Sequence, residues 1–118
     1  MTSILSDAQF DALTRSALTQ IETTVDAWLQ DDVIDIDSHR TGGLLELSFP
    51  DGSKIIINTQ PPLHELWLAA KAGGRHFKHI AGQWIDTRDG GEFFDVLSSC
   101  ASAQAGKALC IEAARQGV

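Results

Sequence analysis

The sequence predicts an α+β fold in which two helices pack on one face of an antiparallel β-sheet. A helical apolar period marks each end of the chain, and short strand-like segments separated by turn residues fill the middle. The 118 residues leave room for one domain, which we place over residues 1–118. This order of elements leaves the second face of the sheet open to solvent or to a partner.

The first helix is predicted from Ser6 to about Leu29. Ser6 and Gln9 have the spacing of a capping box, in which each side chain caps the backbone of the other residue. The expected buried stripe consists of Phe10, Leu13, Ala17, Ile21, Val25 and Trp28. The opposite, polar stripe consists of Asp11, Arg15, Glu22 and Asp26.

A strand is predicted from Val33 to Asp37, because apolar and polar residues alternate there. The two isoleucines of this segment face the core in that prediction, which turns Asp35 and Asp37 outward on one exposed face. The polar segment that follows, Ser38–Gly43, is predicted to be a loop.

A β-hairpin is predicted next. Leu45, Leu47 and Phe49 alternate with polar residues, which is the period of a half-buried strand. The turn Pro50–Gly52 combines a proline that fixes φ with a glycine that accepts positive φ. The β-branched run Ile55–Ile57 then indicates a returning central strand.

The segment from His64 to Ala70 is ambiguous, since several of its residues favour a helix by propensity. We predict a strand because the segment is short and is bounded by Pro61-Pro62 and Gly73-Gly74. Further short strands are predicted at Arg75–Ile80 and Gln83–Asp86.

A second helix is predicted at Glu92–Ala105, and Gly106 is expected to end it. The apolar residues of the tail, Lys107–Val118, are expected to cover the groove between the two helices. Cys100 and Cys110 lie in apolar sequence without the spacing of a metal or redox motif. We therefore expect buried, reduced thiols.

The net charge of −7 lies entirely in the first third of the chain. Residues 1–37 hold eight acidic residues and one basic residue, whereas residues 38–118 hold eight of each. Such a field repels nucleic acid and anionic membranes, and it attracts cations or a basic protein surface. No apolar run approaches the roughly 18 residues of a transmembrane helix. Since Met1–Asp7 also lacks a basic secretory segment, we expect a cytoplasmic protein.

Several of these acidic residues are poorly placed for stability. Glu22 and Asp26 are like charges one helical turn apart, which costs about 0.2–0.5 kcal/mol. Asp26, Asp31 and Asp32 crowd the predicted C-terminus of the helix, where the helix dipole disfavours anions. A solvated face is the usual explanation of a charge run, but charges of one sign in unfavourable positions indicate a binding function.

The sequence carries no motif of an ordinary enzyme. The four histidines (His39, His64, His76 and His79) lack the i, i+4 spacing of a zinc protease, and there is no nucleophile elbow or phosphate-binding glycine loop. Carboxylates are hard oxygen ligands that suit Ca²⁺, Mg²⁺, Mn²⁺ and Fe²⁺. Because no EF-hand pattern is present, we expect weak cation binding with little selectivity.

One stretch resembles a known family. Asn58–Ala69, followed by Gly73–Phe77, resembles the central signature of the frataxin family and is closest to its bacterial, CyaY-type members. The resemblance extends from the first helix through Gly82–Ile85 to the closing helix. It implies an iron-binding acidic ridge that docks on a basic patch of cysteine desulfurase during iron–sulfur cluster assembly.

The resemblance also assigns residues, position by position. The matching ridge positions, here called the acidic ridge, are Glu22, Asp26, Asp31, Asp32, Asp35 and Asp37. Thr23 and Ala27 stand where many bacterial members carry further acids, so tighter or multiple iron binding is not expected. Partner contacts are implied for Glu22, Asp26, Asp35, Asp37, Asn58, Gln60 and Trp67. A tryptophan is usually a core residue, but the family match places Trp67 on the exposed face of the sheet and leaves Trp28 and Trp84 in the core.

The combined expectation is an iron-binding regulator or iron chaperone of iron–sulfur cluster assembly that is not an ordinary enzyme. It would bind Fe²⁺ or Fe³⁺ weakly, contact cysteine desulfurase and the scaffold machinery, and remain a monomer without iron. One alternative is a ferroxidase or iron-storage protein that forms iron-driven oligomers. Another is a generic acidic inhibitor of basic proteins.

Overall fold

A computed structural model describes residues 5–114, and it has two helices and six strands in this part of the chain. The helices are α1 (Asp7–Gln30) and α2 (Phe93–Ala105). The strands are β1 (Asp37–Thr41), β2 (Leu44–Ser48), β3 (Lys54–Gln60), β4 (Glu65–Ala70), β5 (Gly73–Ile80) and β6 (Gln83–Asp86). A single 3₁₀ turn, Pro61–Leu63, joins β3 to β4.

The six strands form one antiparallel sheet in sequence order, β1-β2-β3-β4-β5-β6. Alternate side chains of the central strands are fully buried against the helices and build the core. The largest of these are Leu45, Leu47, Ile55, Ile57, Leu66, Leu68 and Phe77. The other face, here called the open face, carries Asn58, Trp67 and His76 side by side on β3, β4 and β5. The predicted fold class is therefore confirmed.

The observed helices agree with the sequence-based predictions, including the signals that begin α1 and end α2. The capping box at the start of α1 is present: the Gln9 amide donates to the Ser6 hydroxyl, and the Ser6 amide donates to the Gln9 side chain. Gly106 ends α2 with a φ of 70°, in the left-handed region that favours glycine. Six residues of α1 are buried: Phe10, Thr14, Ala17, Leu18, Ile21 and Val25. Leu13 and Trp28, which were predicted in the buried stripe, are half-buried at the edge of the core.

The described part of the tail packs on α2. The hydroxyls of Ser98 and Ser102 exchange hydrogen bonds with the backbone of Ile111 and Leu109, whose side chains are buried. Beyond them, the tail lines a groove of about 210 Å³ between α1 and α2. The tail thus lines this groove as far as Ala114. Residues 1–4 and 115–118 lie outside the described part of the chain, so the predictions made for them are not tested.

The prediction for the first strand is wrong in position. The strand begins at Asp37 and occupies the stretch that was predicted to be a polar loop, while residues 33–36 have no regular structure. The apolar alternation arises because Ile36 is buried and Ile34 packs at the edge of the core, which does not require a strand. The true strand is polar because it is an edge strand, with only one neighbour and one face on the protein.

Two further findings concern the cysteines and the helices. Cys110 is exposed, contrary to the expectation of a buried thiol, because it points away from the tail residues that pack on α2. Cys100 is half-buried, and this burial raises the pKa of its thiol. Within residues 5–114, neither helix combines the length and the apolar character needed to cross a bilayer.

Candidate functional site

The acidic ridge begins where α1 ends. The Val33 amide donates to the Trp28 carbonyl at 2.8 Å, and the Asp32 amide donates to the Leu29 carbonyl at 3.3 Å. This is a Schellman motif, which places Asp32 in the left-handed region with a φ of 57°. Glycine is the usual residue at that position, and an anion is unfavourable at a helix C-terminus. The helix end therefore gives up local stability to carry this carboxylate.

The second half of the ridge follows the irregular segment into β1. Buried Ile36 anchors the segment, and Asp35 and Asp37 on either side of it are exposed, as predicted. Lys107, just beyond α2, donates to the Val33 carbonyl at 2.6 Å and ties this bend to the other helix. The lysine contacts a backbone oxygen and leaves the carboxylates of the ridge free.

Five of the six ridge carboxylates are exposed: Asp26, Asp31, Asp32, Asp35 and Asp37. Within residues 5–114, none of the five forms an ion pair with a basic side chain. In the same part of the chain, no three acidic, histidine or cysteine side chains converge into a group that could enclose a metal ion. The arrangement is thus an open electrostatic surface without a preformed metal cage.

Glu22 is the exception in the predicted set. The Arg40 guanidinium Nη1 donates to its carboxylate at 2.7 Å and to the Thr19 hydroxyl at 3.1 Å. Arg40 reaches α1 because it lies opposite the core residue Leu45 on β2, which turns it toward the helix side of the sheet. Sequence reasoning missed Arg40 because it assigned the residue to a loop. If the polar segment had been interpreted as an edge strand, Arg40 would have been expected on the inner face of that strand, within reach of α1.

The open face carries a second cluster, around Trp67. The indole is half-buried and stacks on the His76 ring, with centroids 4.0 Å apart and planes 7° from parallel. Its N–H donates to the Glu65 carboxylate at 2.8 Å, and Lys78 lies 3.4 Å from the same carboxylate. Trp67 is therefore held in place on the open face by its cross-strand neighbours, with its polar atom satisfied inside the protein.

The residues predicted with Trp67 share its face. Asn58 lies next to Trp67 in the β3–β4 register, and Gln60 lies next to Glu65. His76 and Lys78 continue the same rows onto β5. Sequence reasoning missed Glu65, His76 and Lys78 as neighbours of Trp67, since only the strand register brings them together.

A third carboxylate cluster holds the loop between β6 and α2. Arg75 of β5 donates to Asp86 at 3.2 Å and to Asp89 at 2.7 Å. The Arg88 amide donates to the other oxygen of Asp86 at 2.7 Å. The Gly91 amide and the Arg75 guanidinium hold the pKa of the Asp89 carboxyl below its usual range. Since these carboxylates are already satisfied, this cluster is structural.

An antiparallel sheet covered on one face by two helices, with an exposed carboxylate ridge at its edge, defines a small protein of the α+β class. The model of the frataxin-like domain matches residues 3–107, which is most of the chain. The chain belongs to the frataxin family.

Two curated relatives illustrate the match. The iron-sulfur cluster assembly protein CyaY of Cupriavidus metallidurans is 47% identical over 108 residues, which cover 92% of this chain and 97% of the relative. The protein of the same name from Polaromonas sp. is 50% identical over 109 residues, with 92% and 94% covered.

Solved structures agree with the fold. Frataxin from Psychromonas ingrahamii superposes with a TM-score of 0.80 at 34% identity, and the match covers 91% of this chain and 98% of that chain. A trimeric frataxin from the yeast Saccharomyces cerevisiae has a TM-score of 0.68 at 22% identity, with 91% and 92% covered. At that identity the yeast likeness concerns the fold alone.

Proposed function

We propose that this chain is an iron-binding regulator or iron chaperone of iron–sulfur cluster assembly, acting through protein contacts and not as an ordinary enzyme. The observation that carries the proposal is the row of five exposed carboxylates on one edge of a frataxin-family fold, none of which is paired with a basic side chain of residues 5–114. The curated relatives that match over nearly their whole length are named iron–sulfur cluster assembly proteins.

The chemistry of the acidic ridge favours weak binding of Fe²⁺ or Fe³⁺. Its ligands are carboxylate oxygens alone, without imidazole or thiolate, and such ligands also accept Mn²⁺ and Mg²⁺. Because the carboxylates lie on an open surface, a bound cation would keep much of its water. We expect weak affinity, with the dissociation constants typical of cations bound by exposed surface carboxylates. We also expect little discrimination among divalent cations.

The same charge pattern favours a basic partner, for which we propose cysteine desulfurase. A one-signed surface accelerates and orients docking on a patch of opposite charge. The open face offers a separate contact through Trp67, Asn58 and Gln60. Trp67 is already immobilised by Glu65 and His76, so a partner that stacks on it loses little side-chain entropy on binding.

Binding to immobilised cysteine desulfurase, measured by interferometry with and without Fe²⁺, tests this proposal. Association should be detectable at low salt and weaken steeply toward physiological salt, because it depends on charge. A generic acidic inhibitor would bind unrelated basic proteins equally well, so a basic protein such as lysozyme is the control. Equal affinity for the desulfurase and for lysozyme would contradict the proposal.

Oxygen consumption on addition of Fe²⁺ separates this proposal from a ferroxidase. A catalytic iron site needs several converging ligands, and residues 5–114 bring no three such side chains together. We expect oxygen uptake no faster than in buffer with the same iron. Saturable uptake that depends on the protein, together with iron-driven oligomers in light scattering, would favour the alternative of a ferroxidase or storage protein.

A further inference from the structure

Arg40 occupies a position that none of the functional assignments explains. It lies in the middle of the edge strand β1 and leaves the strand on the helix side, where its guanidinium reaches α1. The same nitrogen contacts Glu22 at 2.7 Å and Thr19 at 3.1 Å, one turn apart on the helix. This contact crosses 18 residues of sequence and joins the acidic ridge to the strand that continues it.

The Arg40–Glu22 pair is shielded compared with the Arg15–Asp11 pair of α1. The side chains of Arg40 and Glu22 are 23% and 30% exposed, whereas those of Arg15 and Asp11 are 67% and 63% exposed. Water and salt screen a shielded pair less. The guanidinium also has a second acceptor in Thr19, which fixes its orientation beside the carboxylate.

We propose that Arg40 is a specificity-determining residue of the acidic ridge: its guanidinium occupies Glu22 as a built-in counter-ion and restricts cation binding to the stretch from Asp26 to Asp37. The inference rests on the proposed function, since it concerns which carboxylates of the ridge are available to a divalent cation. It assigns Glu22 to holding β1 against α1.

The physical reason is competition for one carboxylate. A divalent cation at Glu22 must displace a hydrogen-bonded guanidinium, and while Arg40 remains nearby its positive charge also repels the cation. Asp26, one turn further along α1, has no such partner within the described residues and is exposed. Cation binding therefore begins at Asp26.

Mn²⁺ titration of the ¹⁵N-labelled chain tests the inference, because the paramagnetic ion broadens amides near its site. At a small fraction of an equivalent of Mn²⁺, broadening in the wild type should be strongest at Asp26, Asp31 and Asp35 and weaker in the turn that contains Glu22. In Arg40→Gln, broadening should extend to that turn. The Mn²⁺ concentration for half-broadening there should fall about two- to fivefold, the range expected for a partly exposed ion pair.

Four further variants make the result specific. Arg15→Gln removes one positive charge from α1 without touching the Arg40–Glu22 pair, so it should leave the wild-type pattern of broadening unchanged. Glu22→Gln should leave wild-type Mn²⁺ affinity nearly unchanged, whereas Asp26→Asn should weaken it. In the double variant Arg40→Gln, Glu22→Gln, the gain should disappear, and this variant controls for any loosening of β1.

The outcomes distinguish the inference from the proposed function. Ridge broadening in the wild type with an identical pattern in Arg40→Gln would overturn the role of Arg40 and leave iron binding by the ridge intact. No ridge broadening in the wild type, with new broadening at Glu22 in Arg40→Gln, would support the role of Arg40 and contradict iron binding by the natural ridge. No broadening in either protein would overturn both.

Discussion

Two regions of this molecule are rich in aspartate and use it in opposite ways. At the end of α1, Asp26, Asp31 and Asp32 are exposed and, within residues 5–114, have no basic partner. At the end of β6, Asp86 is 2% exposed at its side chain and accepts hydrogen bonds from Arg75 and from the Arg88 amide. The same side chain is thus a free charge in one region and a structural link in the other.

The difference shows how to recognise an available carboxylate. A carboxylate whose hydrogen-bonding capacity is used inside the protein stabilises the fold and offers little to a ligand. One that sits at a helix C-terminus without a cation lowers stability and keeps its full charge for a partner. Glu22 belongs with the structural group, although its sequence position places it in the acidic ridge, because its carboxylate accepts a hydrogen bond from Arg40.

The largest expected effect on stability is that of Asp86→Ala. The change removes the acceptor of the Arg88 amide and one of the two acceptors of the Arg75 guanidinium beside a buried position, which should cost about 2–3 kcal/mol. Urea unfolding measures the loss. Asp35→Ala, the same substitution at an exposed site of the ridge, is the control and should change stability by less than about 0.5 kcal/mol. Equal losses of stability in the two variants would contradict the distinction between structural aspartates and exposed aspartates of the ridge.

A smaller effect of opposite sign is expected for Asp32→Gly. Glycine relieves the left-handed φ of 57° and removes an anion from the helix end, so the chain should gain about 0.5–1 kcal/mol. Asp31→Gly removes the same charge from a residue with a φ of −92° and is the control. That control should not be stabilised, because its backbone gains nothing from glycine. Stabilisation in Asp31→Gly but not in Asp32→Gly would contradict the assignment of the helix end.

The smallest effect concerns a half-buried histidine, His79, and the pH dependence of stability. His79 faces the helices beside Trp84, and this burial lowers its pKa below the ordinary 6.5. The unfolded chain then binds a proton more readily than the folded chain, so this contribution to stability is present above pH 6.5 and is lost as the pH falls below it.

Thermal unfolding between pH 7.5 and pH 5.5, a window set by that lowered pKa, measures the contribution of His79. His79→Gln should flatten the fall in melting temperature, whereas exposed His39→Gln should not. The lowered pKa values of Asp51 and Asp89 start from 3.8, so those carboxyls titrate below this window. If the melting temperature of His79→Gln falls with pH as steeply as that of the wild type, the partial burial of His79 does not contribute to the pH dependence of stability.

Most of the fold was predictable because local signals agreed with the packing. The capping box of Ser6 and Gln9, the β2–β3 hairpin and the Gly106 stop each have a short-range cause that the folded chain preserves. The first strand was not predictable from alternation, since Ile36 is buried without being in a strand. Edge strands such as β1 carry few apolar residues and leave little signal.

The site was predictable as a set of charges but not as a set of contacts. The sequence and the family resemblance place five exposed aspartates on the acidic ridge, and the structure agrees with their exposure. The Arg40–Glu22 pair and the stack of His76 on Trp67 depend on strand register, which brings together residues far apart in the chain. Whether the ridge binds iron and a partner stays a prediction.

The most direct test of the central claim is the affinity of Asp35→Lys, Asp37→Lys for cysteine desulfurase. Both side chains are exposed on either side of buried Ile36, so the variant should remain folded by circular dichroism. A control that makes the same change in charge on exposed residues away from the ridge is Asp95→Lys, Glu112→Lys. Trp67→Ala is a second comparison, and any loss of binding through the open face should vary little with salt.

Interferometry across a salt series gives the decisive result. If the acidic ridge is the docking surface, the ridge variant should lose binding by about 100-fold or more at low salt, because like charges across an interface cost several kcal/mol. The Asp95→Lys, Glu112→Lys control should keep most of the wild-type affinity. Binding of the folded ridge variant at wild-type strength would contradict the account.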